Sequence, residues 1–248
     1  MTMEYYERVL NLSAQALAPK SGLDKLPRRE RERLMRRVEI IEAGRHVFAR
    51  KGYHDSTLDD VAEAAELGKA TLYSYFDSKE LLFTAVIEDS FATMLALGTM
   101  ALAAPGTFDE KVGMFVAAEM DYFFRNPSSI RLMMSEAYQL RKRNPMLHLT
   151  PQLLRHLAGV IGDAQRDGHV LPDAEPMALA GMLLNLMYGR VMAPIHKTIN
   201  AAMDPVTYVV DEVRFAELLK QLDAEPLEAR VMRGTTLVLR VFLSGIRL

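Results

Sequence analysis

The stretch Thr57–Phe76, which reads TLDDVAEAAELGKATLYSYF, constrains the possible folds more than any other part of the chain. Its apolar residues recur every three or four positions, which is the spacing of one helix face. We expect a first helix at Asp59–Ala65, with the hydroxyl of Ser56 or Thr57 capping its free N–H groups. Glu66-Leu67-Gly68 is expected to form the break after it, because Gly68 tolerates backbone angles that other residues avoid. The stretch therefore predicts two short helices joined by a tight turn.

The second helix of this stretch is expected at Lys69–Tyr75. Leu72 and Phe76 lie four residues apart and would face inward, whereas the other side presents small, polar and aromatic groups. A helix, a short turn with glycine and such a second helix form the helix-turn-helix pattern, whose second helix enters the major groove of DNA. Short helix pairs also occur in other all-α proteins, so the surrounding residues have to distinguish the two interpretations.

The surrounding residues match one known family in order and spacing over about Arg37 to Val86, roughly one fifth of the chain. The matching positions are Ile40, Ile41, Ala43, Phe48, Ala49, Lys51, Gly52, Tyr53, Ser56, Thr57, Val61, Ala62, Ala64, Ala65, Lys69, Thr71, Leu72, Tyr73, Tyr75, Phe76, Ser78, Lys79, Glu80, Leu81 and Leu82. This run resembles the N-terminal DNA-binding domain of the TetR (tetracycline-repressor-like) family of bacterial transcription regulators. Beyond it, the resemblance rests on length and helical texture.

The resemblance implies which side chains contact DNA. The residues implied at phosphates are Thr57, Tyr75 and Lys79, and those implied at the floor of the groove are Lys69, Ala70, Thr71 and Tyr73. Phosphate contacts position such a protein, and base contacts give its sequence preference. Lys69 can donate to guanine edges or to a phosphate, and Ala70 or the Thr71 methyl can contact a thymine methyl. Packing between helices is the alternative role for Tyr73 and Tyr75.

Two positions depart from the family pattern. Gly68 stands where a hydroxyl residue is common, so a capping group and a phosphate donor are lost. Ala70 replaces a frequent glycine, which can hold the backbone slightly farther from the bases. These departures leave the operator sequence open, whereas DNA binding is still expected.

The composition of the chain favours an all-α protein with one small and one larger domain. Its 248 residues suffice for a substantial core, and it has 16 Met, no Trp and no recurrent alternating β-branched runs. The absence of cysteine excludes disulfides, thiolate metal sites and thiol redox switches, and suits a cytoplasmic protein. The first residues include acids and no apolar segment, so a signal peptide is not expected.

We expect three regions in the chain. They are an N-terminal extension at 1–27, a three-helix helix-turn-helix DNA-binding domain at 28–80, and a larger C-terminal helical domain for ligand binding and dimerisation at 81–248. The first helix, at about Glu30–Arg50, is expected to cover the other two with Leu34, Val38, Ile41 and Phe48. Residues 28–80 contain equal numbers of basic and acidic side chains, so DNA binding requires a local basic surface.

The charge run RRERERLMRR at Arg28–Arg37 has two interpretations. It can be a solvated helix face on which opposite charges pair with one another. Alternatively, Arg28, Arg29 or Arg31 forms an arm that reaches phosphates or the minor groove. The sequence leaves both interpretations open.

A capping signal at Asp77 or Ser78 with Glu80 predicts a long helix through about Ala101. It resembles the connecting helix of the family, which implies that it carries motion between the two domains. Further helices are expected at about 108–125, 128–142, 146–167, 174–200 and 226–246, with a helix or an irregular excursion at 204–222.

The nearly apolar stretch Pro176–Ile195 is long enough to approach a membrane span of about 20 residues. Asn185 and Arg190 interrupt it, so we expect a core helix that also forms a dimer interface, with no membrane as partner. The last helix carries an apolar stripe of Leu227, Val231, Val238 and Phe242. The resemblance implies a homodimer in which two such helices per subunit form a four-helix bundle, with two recognition helices that read a palindrome.

The candidates for effector binding are Glu119, Phe123, Asn185 and Tyr188. Glu119 lies on an apolar stripe, where its carboxylate could meet a cationic ligand or Arg131, or could lie in water at the edge of the stripe. The methionines fit a deformable apolar cavity, although methionine at helical spacing is more often core.

The sequence therefore predicts a homodimeric repressor that binds a double-stranded DNA operator and is released by a small-molecule effector. The alternative is a helix-turn-helix protein controlled by a protein partner. An enzyme is not expected, because there is no Glu-x-x-His pair, nucleophile elbow or glycine-rich phosphate loop. No cofactor or metal site is expected either.

Overall fold

The structure is a computed structural model that describes residues 7–11, 26–126, 129, 132, 146–202 and 225–247. Every regular element within these residues is a helix, so the predicted all-α class is confirmed. The helices are α1 (Arg28–Lys51), α2 (Leu58–Ala64), α3 (Lys69–Tyr73), α4 (Lys79–Ala103), α5 (Phe108–Arg125), α6 (Met146–Arg166), α7 (Pro176–Ala202) and α8 (Leu227–Ile246). Residues 7–11 are also helical. The element predicted at 204–222 lies outside the described residues, and of the helix predicted at 128–142 only residues 129 and 132 are described, both of them helical.

The contacts divide the chain into two compact units. The N-terminal unit consists of the described residues of 14–96 and 126–151, and the C-terminal unit of those of 1–13, 97–125 and 152–248. The helix-turn-helix pattern lies in the N-terminal unit. The limit expected at residue 80 follows that pattern, whereas the packing carries the N-terminal unit to Ala96 because the first turns of α4 share its core.

The core of the N-terminal unit is built by apolar side chains from four helices. They include Ile40, Ile41, Val47 and Phe48 of α1, Leu58, Val61 and Ala62 of α2, Leu72 of α3, and Leu82, Phe83, Val86 and Ile87 of α4. The Phe83 ring lies with its centroid 5.3 Å from that of Phe48 and 4.8 Å from that of Tyr53. Gly44 permits a close approach of α1 and α4, since a Cβ there would lie 3.3 Å from the Leu82 side chain.

The prediction that the apolar stripe of α1 is buried against the other two helices is wrong for the first half of the stripe. Ile41 and Phe48 are buried as expected, but Leu34 is 41% exposed and Val38 is 62% exposed. The reason is length, because α1 begins at Arg28 and the apolar cluster that it covers begins only at Ile40. The apolar spacing of its first turns predicts a buried face, but no other described part of this unit buries it.

In the C-terminal unit, α5 is the central helix. Every residue from Val112 to Tyr122 is buried, and α7 and α8 pack against α5. The predicted stripe of α8 faces inward, with Val231, Val238 and Phe242 buried. Over residues 176–190, α7 buries Leu179, Ala180, Leu183 and Met187 and leaves its opposite face exposed.

Among the described residues, α4 has the length and composition of a membrane-crossing helix, but half of its most apolar window is buried inside the protein. Such burial is typical of a core helix that is apolar on several faces.

Candidate nucleic-acid interface

The N-terminus of α2 is held by a reciprocal pair of hydrogen bonds. The Thr57 hydroxyl accepts from the backbone N–H of Asp60 at 3.1 Å, and the Asp60 carboxylate accepts from the N–H of Thr57 at 2.9 Å. Of the two expected caps, Thr57 is the one used, since the hydroxyl of the buried Ser56 donates to the carbonyl of Tyr53. Asp60, the second member of this capping box, was not predicted, although the spacing of Thr57 and Asp60 is a signal for one.

Asp60 also binds α1. Its carboxylate lies 2.6 Å from the ammonium of Lys51, the last residue of α1. The hydrogen bond from Lys51, followed by those from Thr57, lowers the pKa of Asp60 to about 2. Asp60 is therefore ionised at neutral pH, and it joins the end of α1 to the start of α2.

The turn between α2 and α3 differs from the expectation for Gly68. This glycine has ordinary extended angles, with φ −66° and ψ 142°. The left-handed residue is Glu66, with φ 54°. The prediction of an unusual backbone at Gly68 is therefore wrong. The reason is that Gly68 precedes α3 as its N-cap residue, whereas the reversal of the chain takes place at the end of α2.

The exposed side of α3 presents the residues expected at the bases. Lys69, Ala70 and Thr71 are exposed, and Tyr73 is 48% exposed. On the other side Leu72 is fully buried in the core, which fixes the rotation of the helix. The two predicted tyrosines differ, because Tyr75 is only partly exposed and packs against the apolar cluster.

Lys69 and Lys79, both expected to bind DNA, already have partners within the unit. The Lys69 ammonium lies 2.6 Å from the carboxylate of Asp59, and this hydrogen bond raises the pKa of Lys69. The Lys79 ammonium donates to the backbone carbonyls of Tyr53, His54 and Ser56 at 2.7, 3.1 and 2.7 Å. An ammonium has three donors, so Lys79 uses all of them to hold the loop between α1 and α2.

The structure contains a buried arginine that the sequence analysis did not identify. Arg45 of α1 is 6% exposed and lies 2.9 Å from the Glu42 carboxylate and 2.6 Å from the Asp89 carboxylate. Its guanidinium also donates to the hydroxyls of Ser90 and Ser129. Because Asp89 and Ser90 belong to α4, this group of bonds ties the first helix of the DNA-binding unit to α4.

The effector candidates lie in different surroundings in the C-terminal unit. Glu119 on α5 is 1% exposed, so the expectation of a carboxylate in water at the edge of the stripe is wrong. Its alternative partner, Arg131, lies outside the described residues. Phe123 is partly exposed, and Asn185 and Tyr188 are exposed on α7. The structure therefore does not enclose the four candidates in one buried site.

Glu119 combines burial with a missing partner. Its Oε1 atom has no hydrogen-bond partner within the described part of the chain. Burial raises the pKa of Glu119 to about 8, so the side chain is a neutral acid at pH 7. A Cβ added at Gly98 would lie 2.9 Å from this Oε1 and 2.6 Å from the Leu153 side chain, so glycine at residue 98 allows these two side chains to pack directly against the backbone of α4.

Metal binding finds no support in the residues that the structure describes. They contain no group of three or more His, Cys, Asp and Glu side chains that could hold a metal ion. Glu42 and His46 form an exposed pair at 3.1 Å, four residues apart on α1.

Comparisons with known proteins agree with the geometry of the N-terminal unit. Residues 40–86 match the family model described as "Bacterial regulatory proteins, tetR family". The chain is similar to the HTH-type transcriptional regulator UidR of Escherichia coli strain K12, at 26% identity over 64% of this chain and 81% of that protein. It is also similar to the HTH-type transcriptional activator FasR of Mycolicibacterium smegmatis, at 28% identity over 46% of this chain and 50% of that protein.

The fold is shared with solved structures. The fatty acid degradation regulator FadR from Bacillus halodurans aligns with a TM-score of 0.61 over 82% of this chain and 94% of that chain, at 16% identity. The matched relatives are transcription regulators, which agrees with a role other than catalysis. The helix-turn-helix geometry, the match of residues 40–86 to the family model and these relatives together support a TetR-family transcription regulator.

Proposed function

We propose that this regulator is a cytoplasmic repressor that binds a palindromic operator as a homodimer and is released by a small-molecule effector. The observation that carries the proposal is the exposed face of α3, where Lys69, Ala70, Thr71 and Tyr73 point away from a packed core. A rigid core behind a short helix supports a fixed approach to the groove, which base contacts require.

Homodimer formation is supported by exposed apolar residues on α7 and α8. The large exposed apolar side chains there are Met177, Met182 and Tyr188 of α7 and Leu237 and Val241 of α8. Gly181 and Gly189 of α7 face open space, which permits close contact with a helix of a second copy. Two recognition helices about 34–36 Å apart would then read the two halves of a palindrome.

Effector binding is supported by Glu119. A buried acid without a partner costs free energy, and a ligand that supplies a hydrogen bond or a positive charge recovers part of it. We propose a largely apolar effector with one polar group placed at Oε1 of Glu119. If that group is an amine cation, Glu119 ionises on binding and the complex releases a proton. Control by a protein partner is the alternative to a small-molecule effector. FasR, a relative named as an activator, makes activation the alternative to repression.

The decisive experiment measures binding to the DNA beside the regulator's own gene across a salt series, with Lys69→Ala and Tyr73→Ala as variants. We expect selective, salt-sensitive binding that either substitution weakens by about 1–3 kcal/mol, the size of a good base contact. The matched control is Arg155→Ala, an exposed cation on α6 in the C-terminal unit. Binding no stronger than to random DNA, or unchanged in both variants, would contradict the proposed recognition helix.

Two further arms of the experiment address the dimer and the effector. Met182→Glu and Leu237→Glu should each convert the dimer to a monomer in sedimentation and weaken operator binding, whereas Leu81→Glu, an exposed apolar position outside α7 and α8, should leave the dimer intact.

In a screen of amines and neutral apolar compounds, an effector that binds native protein should bind Glu119→Gln more weakly. Calorimetry in buffers of different ionisation enthalpy detects the proton released by an amine. An operator complex that no compound dissociates would favour a protein partner.

A further inference from the structure

The first three turns of α1 are the most exposed part of the N-terminal unit. Every residue from 32 to 39 is exposed, and the apolar core begins at Ile40. The first three turns contain all six arginines of the charge run. The solvated-face and DNA-arm interpretations of that run can therefore be compared from the positions and partners of its arginines.

One row of arginines lies on the side of α1 that faces the helix-turn-helix. Arg29, Arg33 and Arg37 are four residues apart and occupy one face of the helix. The same row continues along α1 to Gly44 and Phe48, which are buried against the rest of the unit. The arginine row therefore extends the inward face of α1 beyond the edge of the core.

The inner end of this row touches the segment that follows α3. The Arg37 guanidinium lies 5.0 Å from the centroid of the Phe76 ring. Phe76 is buried and follows the recognition helix by three residues, so the row begins beside the C-terminal end of α3. From Arg37 to Arg29 the row runs for about 12 Å, at 1.5 Å per residue.

The pairing of charges leaves this row basic. Arg28 pairs with Glu32 at 2.7 Å, and Arg36 pairs with Glu39 at 2.6 Å. Within the described residues neither Arg29 nor Arg33 has an acidic partner. Mutual pairing along a solvated face would account for Arg28 and Arg36, but it leaves the two outer arginines of the row unexplained.

We infer that Arg29 and Arg33 bind the phosphate backbone of DNA that flanks the bases contacted by α3. Guanidinium groups bind phosphate oxygens through paired N–H donors, and a row of them suits a polyanion better than an apolar surface. The row is continuous with the recognition helix, so one duplex can contact both. This inference rests on the proposed operator binding, and it lengthens the contacted DNA without adding base readout.

The test is the double variant Arg29→Gln/Arg33→Gln, measured on operator and on random DNA between low and high salt. The dimer carries four of these arginines, and each lost phosphate contact lowers the steepness of log K against log salt by about 0.9, so we expect a decrease of about 3.6. Affinity should fall to a similar extent on both DNAs, which leaves the selectivity ratio unchanged. Arg29→Lys/Arg33→Lys should keep most of the slope, because lysine retains the charge.

The matched control is Arg155→Gln/Arg166→Gln, which removes the same net charge from α6 and should leave the slope unchanged. All four altered positions are exposed, so thermal melting should confirm intact folding. A normal salt slope in Arg29→Gln/Arg33→Gln, with Lys69→Ala still defective, overturns this inference and leaves the proposed function standing. Loss of the dimer in the double variant also overturns it, because the row would then bind a second copy. If operator binding is absent in the native protein, the proposed function itself fails.

Discussion

Arg45 in the N-terminal unit and Glu119 in the C-terminal unit are both buried ionisable residues, but their surroundings differ completely. Arg45 in the N-terminal unit contacts two carboxylates and two hydroxyls, whereas Oε1 of Glu119 in the C-terminal unit has no hydrogen-bond partner among the described residues. A buried charge is tolerated only if it is paired or becomes neutral. Arg45 is paired, and Glu119 becomes neutral because its pKa rises to about 8.

The difference bears on the effector site that we propose in the C-terminal unit. The N-terminal unit satisfies its buried charge within its own fold, so its geometry is defined before DNA binds. The C-terminal unit retains a polar group whose desolvation is not compensated. A ligand that binds there changes the free energy of the unit by more than its apolar contacts alone, which is a requirement for an effector site.

The largest expected effect is the loss of Arg45. Arg45→Met should lower the free energy of unfolding by about 3 kcal/mol, because it removes the ion pair with Asp89 that joins α1 to α4 and the bonds to the buried serine hydroxyls. Urea unfolding measures this change. The control is Arg36→Met, an exposed arginine paired with Glu39, which should cost less than about 1 kcal/mol. Equal losses of stability in both variants would mean that burial of Arg45 does not increase its contribution to stability, which would contradict the contrast drawn between Arg45 and an exposed arginine.

Substitution of Glu119 should have the opposite sign. Glu119→Met should raise the free energy of unfolding at pH 7 by about 1–3 kcal/mol, since it removes a buried polar group without a partner and keeps a similar volume. A decrease in stability would show that the acid has a partner in solution, and the contrast with Arg45 would disappear. Urea unfolding in the absence of any added compound provides the measurement.

The pH dependence of stability sharpens this second prediction. The folded pKa of Glu119 is about 8 against an ordinary 4.5, so the folded state binds more protons than the unfolded state between these values. Stability should therefore fall as the pH rises through this window, by at most about 1.4 kcal/mol per pH unit. Glu119→Gln should remove this slope, whereas Asp121→Asn, at a neighbouring buried acid paired with Arg125, should keep it.

The smallest effect is expected at the capping box of α2. Thr57→Ala should cost about 1 kcal/mol of stability, and Thr57→Ser should cost much less because it keeps the capping hydroxyl. Thermal melting distinguishes these variants. If Thr57→Ala weakens operator binding but leaves stability unchanged, the hydroxyl serves a phosphate rather than α2.

Asp60 adds a test on the acid side. Its folded pKa of about 2 lies below the ordinary 3.8, so its contribution to stability is present above the ordinary value and is lost as the pH falls toward 2. Asp60→Asn should flatten this acid limb. The pKa values of the two acids are thus shifted in opposite directions. The partners of Asp60 keep it ionised, whereas burial keeps Glu119 neutral.

Local patterns were sufficient to predict the helix-turn-helix. The hydroxyl before Leu58, the apolar spacing and the inward positions of Leu72 and Phe76 depend on neighbours a few residues away, and the helices begin and end close to the predicted residues. The same reasoning was wrong at Gly68, because residue type suggests where a left-handed angle is easy and not where the chain reverses. Glu66 takes that angle because α2 ends there.

Contacts between residues that are far apart in sequence could not be predicted from the sequence and became visible only in the tertiary structure. Helical spacing could not show that Leu34 and Val38 lie beyond the core. Only the second half of α1 is covered by other residues of the unit, and its first half extends past them. The partners of Lys79 in the preceding loop and the group around Arg45 involve residues more than 20 positions away.

The amino-acid order alone was enough for the helical class, the DNA-binding pattern and the family, because these depend on short-range spacing and on residue types at set positions. Tertiary packing decided which charged side chains are paired, which are buried without a partner and which are exposed to solvent. The physical reason is that the pKa and free energy of a charge depend on the groups and the solvent around it. Those surroundings are assembled from parts of the chain that are far apart in sequence.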